Sequence, residues 1–300
     1  DKLKELWTGI LMGPDAACAE LGIDDAFPIS DIDDILPGLI EGRDRVYYSM
    51  GKDDHFDNQV MDWVKVIRNK AKMGAHPPGE FLVLDHLLHE LRLFKSAGEI
   101  KLMETAAKIS AQGHKRAMSC CKPGIKEYEM EAELLYAFAR NGSRAPAYNS
   151  IVAAGDNACI LHYNTINAEV KEGDLILIDA GCEYEYYASE ITRTLPATGK
   201  FTPEQKAIYQ LVLDAQNAAI DAVAPGASWD EPHNASVKVI TRGLIKLGLL
   251  KGRASQLIKA EAYRDFYMHR VGHWIGMDVH DVGDYKIDDH WRLLEPGMVT

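Results

Sequence analysis

The 300-residue chain is short of positive charge: 33 lysines and arginines stand against 45 aspartates and glutamates, for a net charge of −12. A surface of that sign repels phosphate, and no run of Lys and Arg is dense enough to make a local basic patch. No nucleic acid and no anionic membrane is therefore expected as a partner. Long apolar runs are missing as well. Runs such as Leu175–Ile178 fall far short of the ~18 residues a membrane span needs. Cysteine is sparse: Cys18, Cys120, Cys121, Cys159 and Cys182 form no Cys-x-x-Cys pair. Their odd count and scatter read as buried thiols in a reducing compartment, which predicts a cytoplasmic protein. The sequons at Asn141 and Asn234 are expected to be chance. Gly-x-Ser-x-Gly, Walker A, His-Glu-x-x-His and Gly-x-Gly-x-x-Gly after a strand are all absent, which removes the common hydrolase, nucleotide and zincin signatures.

What is there is ordinary globular composition, 47% hydrophobic and 26% charged, which argues against disorder, collagen and coiled coil. The ends read as cut. Asp1 is not an initiator Met, and Glu295-Pro296-Gly297 is a turn signal before Met298-Val299-Thr300, which reads as a strand just starting. Residues 1–85 are short mixed segments. Val46–Met50 reads as a strand, and Asn58–Asn69 places Val60, Trp63, Val64 and Ile67 at helical spacing. Gly74–Gly79 punctuates the chain, and a domain boundary is expected just after it, near Leu84–His89. Domains are thus expected over 1–85 and 86–300. Ser96-Ala97-Gly98-Glu99 is a capping box that opens a helix to about Ser119. A second helix is expected from about Lys126 to Arg140. Strands are expected at Asn149–Ala154, Asp174–Tyr184 and Ser189–Pro196, then helices at Pro203–Val223 and Asn234–Leu247. Helices and strands in runs predict an α+β fold for the larger part.

The most informative stretch is Asp174–Pro196. Alternation puts Leu175, Leu177 and Asp179 on one strand face and Ile176, Ile178 and Ala180 on the other. Both faces are apolar except at Asp179, so this carboxylate is expected in a strand buried on both sides. That costs several kcal/mol unless it is paired or holds a metal. The next strand puts Glu190, Thr192 and Thr194 on one face. A turn between Tyr184 and Glu185 would bring Asp179 and Glu190 opposite each other, ~5 Å apart at Cβ. Two acids placed so need a cation, and Arg193, Lys200 or a metal would serve; a different register also stays open, because the turn lacks Asn-Gly or Gly-x.

A second cluster, Met268–Asp281, holds His269, His273 and His280 within twelve residues. Gly272 and Gly276 argue against a regular helix there. Imidazole is both a metal ligand and a general acid or base near neutral pH. His162, after an apolar run, reads alone as structural.

These residues together resemble the creatinase/methionine-aminopeptidase superfamily, the pita-bread metallopeptidases, and within it most closely the aminopeptidase P (Xaa-Pro aminopeptidase) family. The resemblance is carried by His89–Ser96, Tyr148–Val152, Ile160–Tyr163, Ile178–Tyr184, Ile191–Thr194, His273–Gly283 and Leu294–Met298. It runs over most of 84–300. Over 1–84 it is weaker and is similar to part of the family's smaller α/β N-terminal domain. It implies a pita-bread catalytic domain, incomplete at its C-terminus, and two divalent metal ions held in the order Asp, Asp, His, Glu, Glu. Asp179, Glu190 and His273 match the first three, and the last two fall beyond Thr300. A carboxylate-rich set with one imidazole suits Mn²⁺. The resemblance further implies that His280 stabilises the tetrahedral intermediate. Tyr148, His162 and His269 are implied as substrate contacts, the two histidines also counting as catalytic side chains. The implied substrates are peptides with proline second, and a homo-oligomer is the implied assembly. Glu190 stands where the family has Asp, which bears on metal geometry. Arg270 stands where the family has Gly, which bears on the substrate pocket. A prolidase acting on dipeptides, and a non-catalytic binding member of the superfamily, are the alternative readings.

Overall fold

In the computed structural model, which describes residues 2–300, the chain divides between Leu87 and Leu88 into two compact units. The first carries α1 (Lys2–Thr8), α2 (Pro14–Leu21), α3 (Ile32–Ile40), β1 (Arg45–Tyr48), α4 (Asp54–Asn69) and β2 (Glu80–Val83). β1 and β2 pair in parallel, Arg45 opposite Glu80, and α4 is the crossover such a pair requires. The expected stripe of Val60, Trp63, Val64 and Ile67 is buried, with Ile40 and Ala75 completing this small core. The helix begins four residues before Asn58 because Asp53 caps it, its carboxylate accepting from the His55 and Phe56 amides.

The division falls within α5 (Asp85–Leu93), and the second unit continues with α6 (Ala97–Cys120) and α7 (Glu127–Arg140). The capping box at α6 is formed: Glu99 N–H donates to Ser96 Oγ and Ser96 N–H to the Glu99 carboxylate. There follow β3 (Ala145–Pro146), β4 (Ile151–Ala154), β5 (Leu175–Asp179), β6 (Cys182–Tyr184), β7 (Tyr187–Ala188) and β8 (Thr192–Pro196). Then come α8 (Pro203–Asp221), α9 (Glu231–Lys246), α10 (Ala254–Lys259) and a short hairpin of β9 (Lys286–Ile287) and β10 (His290–Trp291). Two antiparallel three-stranded sheets result, in the orders β4-β5-β8 and β3-β6-β7. Ile176, Ile178, Ala180 and Cys182 turn one face of the hairpin into a core shared with Ala106, Ile109 and Ala117 of α6 and Met130, Leu134 and Phe138 of α7.

Several expectations change here. The strand expected over Asp174–Tyr184 is two strands parted at Ala180-Gly181. At that break a Cβ on Gly181 would lie 1.6 Å from the Ser189 carbonyl oxygen, so only glycine fits. Helix α6 supplies the missing partners: Ser110 Oγ accepts from Cys182 N–H at 2.8 Å, and the His114 ring donates to the Ala180 carbonyl at 3.0 Å. β5 is buried on one face only; Leu175, Leu177 and Asp179 are half-buried. Met298–Thr300 forms no strand; Met298 N–H donates to the Glu295 carbonyl and Ile275 N–H to that of Val299. Of the five thiols, all free, only Cys182 is buried, and Cys159 is exposed. Among the described residues no helix is long and apolar enough to cross a membrane.

Candidate active site

The register around Asp179 differs from the expected one. Asp179 stands opposite Thr192, not Glu190, and Glu183 opposite Ala188. The turn falls one residue later, at Glu185-Tyr186, where φ is 49° and 69°. Both central residues are left-handed, the geometry whose twist matches a two-residue hairpin even without Asn-Gly. A slip of two residues keeps every side chain on its face. Asp179, Glu190 and Thr192 therefore still share one face, with Glu190 on the diagonal from Asp179.

Four side chains meet on that face in two pairs. The Tyr148 hydroxyl donates to Asp179 Oδ1 at 2.5 Å. His273 Nε2 lies 3.0 Å from Glu190 Oε2, both groups about one quarter exposed. His273 Nδ1 is 2.9 Å from the Trp274 carbonyl, which places the proton on Nδ1 and leaves Nε2 facing the carboxylate. Burial pushes the Asp179 carboxyl above its ordinary value, the Tyr148 hydrogen bond opposes this, and the neighbouring Glu190 charge adds to it. The Tyr148 hydroxyl is pushed up by burial and by the two acids. The Glu190 carboxylate facing Nε2, to which the protonated ring donates, raises the His273 imidazole, against burial.

The remaining sequence-derived candidates lie around this group at different depths. The His280 ring meets His273 edge-on, centroids 4.3 Å apart at 79°, and is itself exposed. His269 is exposed, with Nδ1 2.8 Å from the Arg270 carbonyl. His162 is exposed on the turn after Cys159 and makes no hydrogen bond or ring contact with the other candidates. Arg270 places its guanidinium 4.8 Å over the Trp291 ring.

Sequence reasoning gave no role to a fully buried acid, Glu127. It accepts from the Ala154 and Ala168 amides, Asn157 Nδ2 and the Tyr163 hydroxyl, and so ties the first turn of α7 to the segment bearing His162. It also passed over Arg92 and Lys95, which close on Asp281. Their signal was their place in His89–Ser96, one of the stretches that carry the resemblance, just before the capping box of α6.

Among the described residues no three His, Cys, Asp or Glu side chains close by themselves around one point. The donors nonetheless fit a divalent ion. Two like charges on one half-buried face, with an imidazole lone pair turned toward one of them, form a set in which a cation relieves the repulsion and the burial cost together.

A domain of helices packed behind an antiparallel hairpin, with acids and an imidazole on its open face, has the build of a metallohydrolase. The model of metallopeptidase family M24 matches residues 101–300, and that of the aminopeptidase P N-terminal domain matches residues 1–47. The chain belongs to metallopeptidase family M24. It is 44% identical to the Xaa-Pro aminopeptidase of Escherichia coli over 299 residues, which is 100% of this chain and 68% of that protein. The Xaa-Pro aminopeptidase of Haemophilus influenzae is 42% identical, with 100% and 67% covered. Among solved structures, Pseudomonas aeruginosa aminopeptidase PepP superposes with a TM-score of 0.98 at 62% identity, over 99% of this chain and 67% of that one. The Zn-substituted Escherichia coli aminopeptidase P in complex with product matches with a TM-score of 0.96 at 43% identity, over 99% and 68%.

Proposed function

We propose that the chain is a metal-dependent aminopeptidase that hydrolyses the bond between an N-terminal residue and a following proline. The observation that carries this reading is the meeting of Glu190 and His273, far apart in sequence, beside Asp179 on one half-buried face. The relatives' names support the substrate class. Residues 86–300 serve as the catalytic domain and residues 1–85 as part of an N-terminal domain. Five free thiols support a cytoplasmic setting, and self-association into a homo-oligomer is part of the same reading, read out by light scattering.

Asp179, Glu190 and His273 hold the metal, with two ions per chain and Mn²⁺ favoured by the hard donor set. When bound, such ions polarise the scissile carbonyl and lower the pKa of water. The chain's own residues do the rest. Trp274 fixes the His273 ring through Nδ1, and Tyr148 restrains Asp179 through Oδ1. His280, beside His273, donates a hydrogen bond to the oxygen of the tetrahedral intermediate. Tyr148, His162 and His269 contact the substrate. An X-Pro bond has no N–H and a restricted geometry, so it needs a pocket of its own.

The test uses the intact protein loaded with Mn²⁺. Cleavage of Xaa-Pro-Yaa peptides is expected, and release of proline from Xaa-Pro dipeptides alone would point to a prolidase instead. Asp179→Ala and His273→Ala are each expected to lose metal and activity together. His280→Ala is expected to keep its metal while kcat falls about 10²-fold. Full metal content in Asp179→Ala would sink the assignment.

A further inference from the structure

Behind the loop that bears His273 and His280 lies a charged cluster that the chemistry above does not use. The Lys95 side chain is 1% exposed, and its Nζ lies 3.1 Å from Oδ2 of Asp281, also 1% exposed. Arg92 Nη2 lies 2.5 Å from Asp281 Oδ1 and 2.8 Å from Asp278 Oδ2. One buried carboxylate thus takes a cation on each oxygen, and one guanidinium clamps the two acids that flank Val279-His280.

The loop closes on the same carboxylate. Asp281 N–H donates to the Trp274 carbonyl at 2.9 Å and Gly276 N–H to that of Asp278 at 3.0 Å. A Cβ on Gly276 would lie 2.0 Å from Asp281 Oδ2 and 2.8 Å from Lys95 Cε. The carboxylate and the lysine stem therefore occupy the space a side chain at 276 would need. His273 and His280 each adjoin a member of the Trp274–Asp281 pair, so the closure sets the distance between their rings. Lys95 is itself held: its N–H donates to the Gly297 carbonyl at 2.8 Å, and the next residue, Ser96, is the N-cap of α6. A buried ion pair adds little net stability over apolar groups of the same volume. What it adds is a defined geometry, and here that geometry is the spacing of two histidines.

We infer that Lys95 and Arg92, acting through Asp281, are positioning residues that hold His280 against His273. The inference rests on the proposed function for its effect on rate, and on geometry alone for its effect on the rings. Lys95→Met is the first variant, because Asp281 keeps Arg92 and the fold is spared an unpaired buried acid. In the intact Mn²⁺-loaded protein, kcat on an Xaa-Pro-Yaa peptide is expected to fall roughly 10- to 100-fold, the scale of a misplacement near 1 Å. KM and metal content are expected to stay within about twofold. The second variant, Lys95→Met with Asp281→Asn, leaves no buried carboxylate facing position 95. Its melting temperature is expected to match that of Lys95→Met or exceed it, while kcat stays low because the ion pairs to the residue at 281 are gone and only the Arg92–Asp278 contact and the main-chain bonds remain. Recovery of kcat in the double variant would reduce the cluster to a structural role and overturn the inference.

A third readout does not depend on activity. In the metal-free protein, ¹⁵N-histidine spectra of Lys95→Met are expected to show shifted ring resonances for His273 and His280 but not for His162. Unshifted rings overturn the inference whether or not the native protein cleaves peptides. A native protein without peptidase activity, but with shifted rings in the variant, overturns the proposed function alone.

Discussion

At Glu190 one methylene separates this chain from the aspartate that the family resemblance implies. The longer side chain reaches His273 Nε2 at 3.0 Å, a contact an aspartate on the same backbone falls short of by about 1 Å, the length at which reacting groups lose their placement. The carboxylate chemistry is the same, so the charge facing a metal is kept while its position moves. Glu190→Asp is expected to bind Mn²⁺ more tightly and to raise the peptidase rate, measured side by side by calorimetric titration and by Xaa-Pro-Yaa hydrolysis. Weaker binding and a lower rate would mean that the site has adapted to glutamate. Arg270 is the second departure, and its guanidinium is taken up by stacking on Trp291, the kind of contact a planar cation makes with an aromatic face.

At the level of elements, the hairpin from β5 to β8 positions both acids, and its weak point is also what shapes it. The ladder is interrupted between Asp179 and Cys182, where Ser110 and His114 of α6 take over the backbone groups. That substitution requires the helix and the opposing strand to approach closely, which Gly181 permits. Gly181→Ala would drive a methyl into the Ser189 carbonyl at 1.6 Å, a backbone atom that cannot swing away. A loss of roughly 2–3 kcal/mol is expected, read as a lower urea midpoint. Metal content should fall with it, because Asp179 and Glu190 flank the distorted segment. A variant as stable as the native protein would show that the two strands can part without cost.

For the whole molecule, His114 makes stability sensitive to pH. Its ring is buried against the hairpin, and burial pushes its pKa below the ordinary 6.5, with the Ala180 carbonyl opposing, Arg193 assisting, and Asp179 and the Ile191 backbone opposing. Above about pH 6.5 both folded and unfolded chains carry the neutral ring, and the packing it contributes is fully present. Below that value the unfolded chain takes up a proton that the native state refuses. Stability therefore falls with pH, by up to about 1.4 kcal/mol per unit, until the native pKa is reached. Denaturation of the metal-free protein at pH 7.5 and pH 5.5 is expected to show this loss, and His114→Gln is expected to reduce it. An equal slope in both proteins would assign the pH dependence to other groups.

What the sequence alone determined was whatever depends on neighbours along the chain. The capping box at Ser96 and Glu99, the stripe of α4, the second helix and the sharing of one strand face by Glu190 and Thr192 all follow from local motif or periodicity, and all are present. The motifs around His273 and Asp179 were also enough to point to the metallopeptidase family. What only the tertiary structure decided depends on groups that meet across the fold. The hairpin register moved by two residues because the turn settled at Glu185-Tyr186, a choice made by strand twist rather than by turn residues. The break at Gly181 exists because α6 docks there and offers its own hydrogen-bond partners. Asp281 meets Arg92 across 189 residues of chain, a separation at which no spacing rule operates. Which charges are buried together, and so which histidines are held in place, was settled by packing.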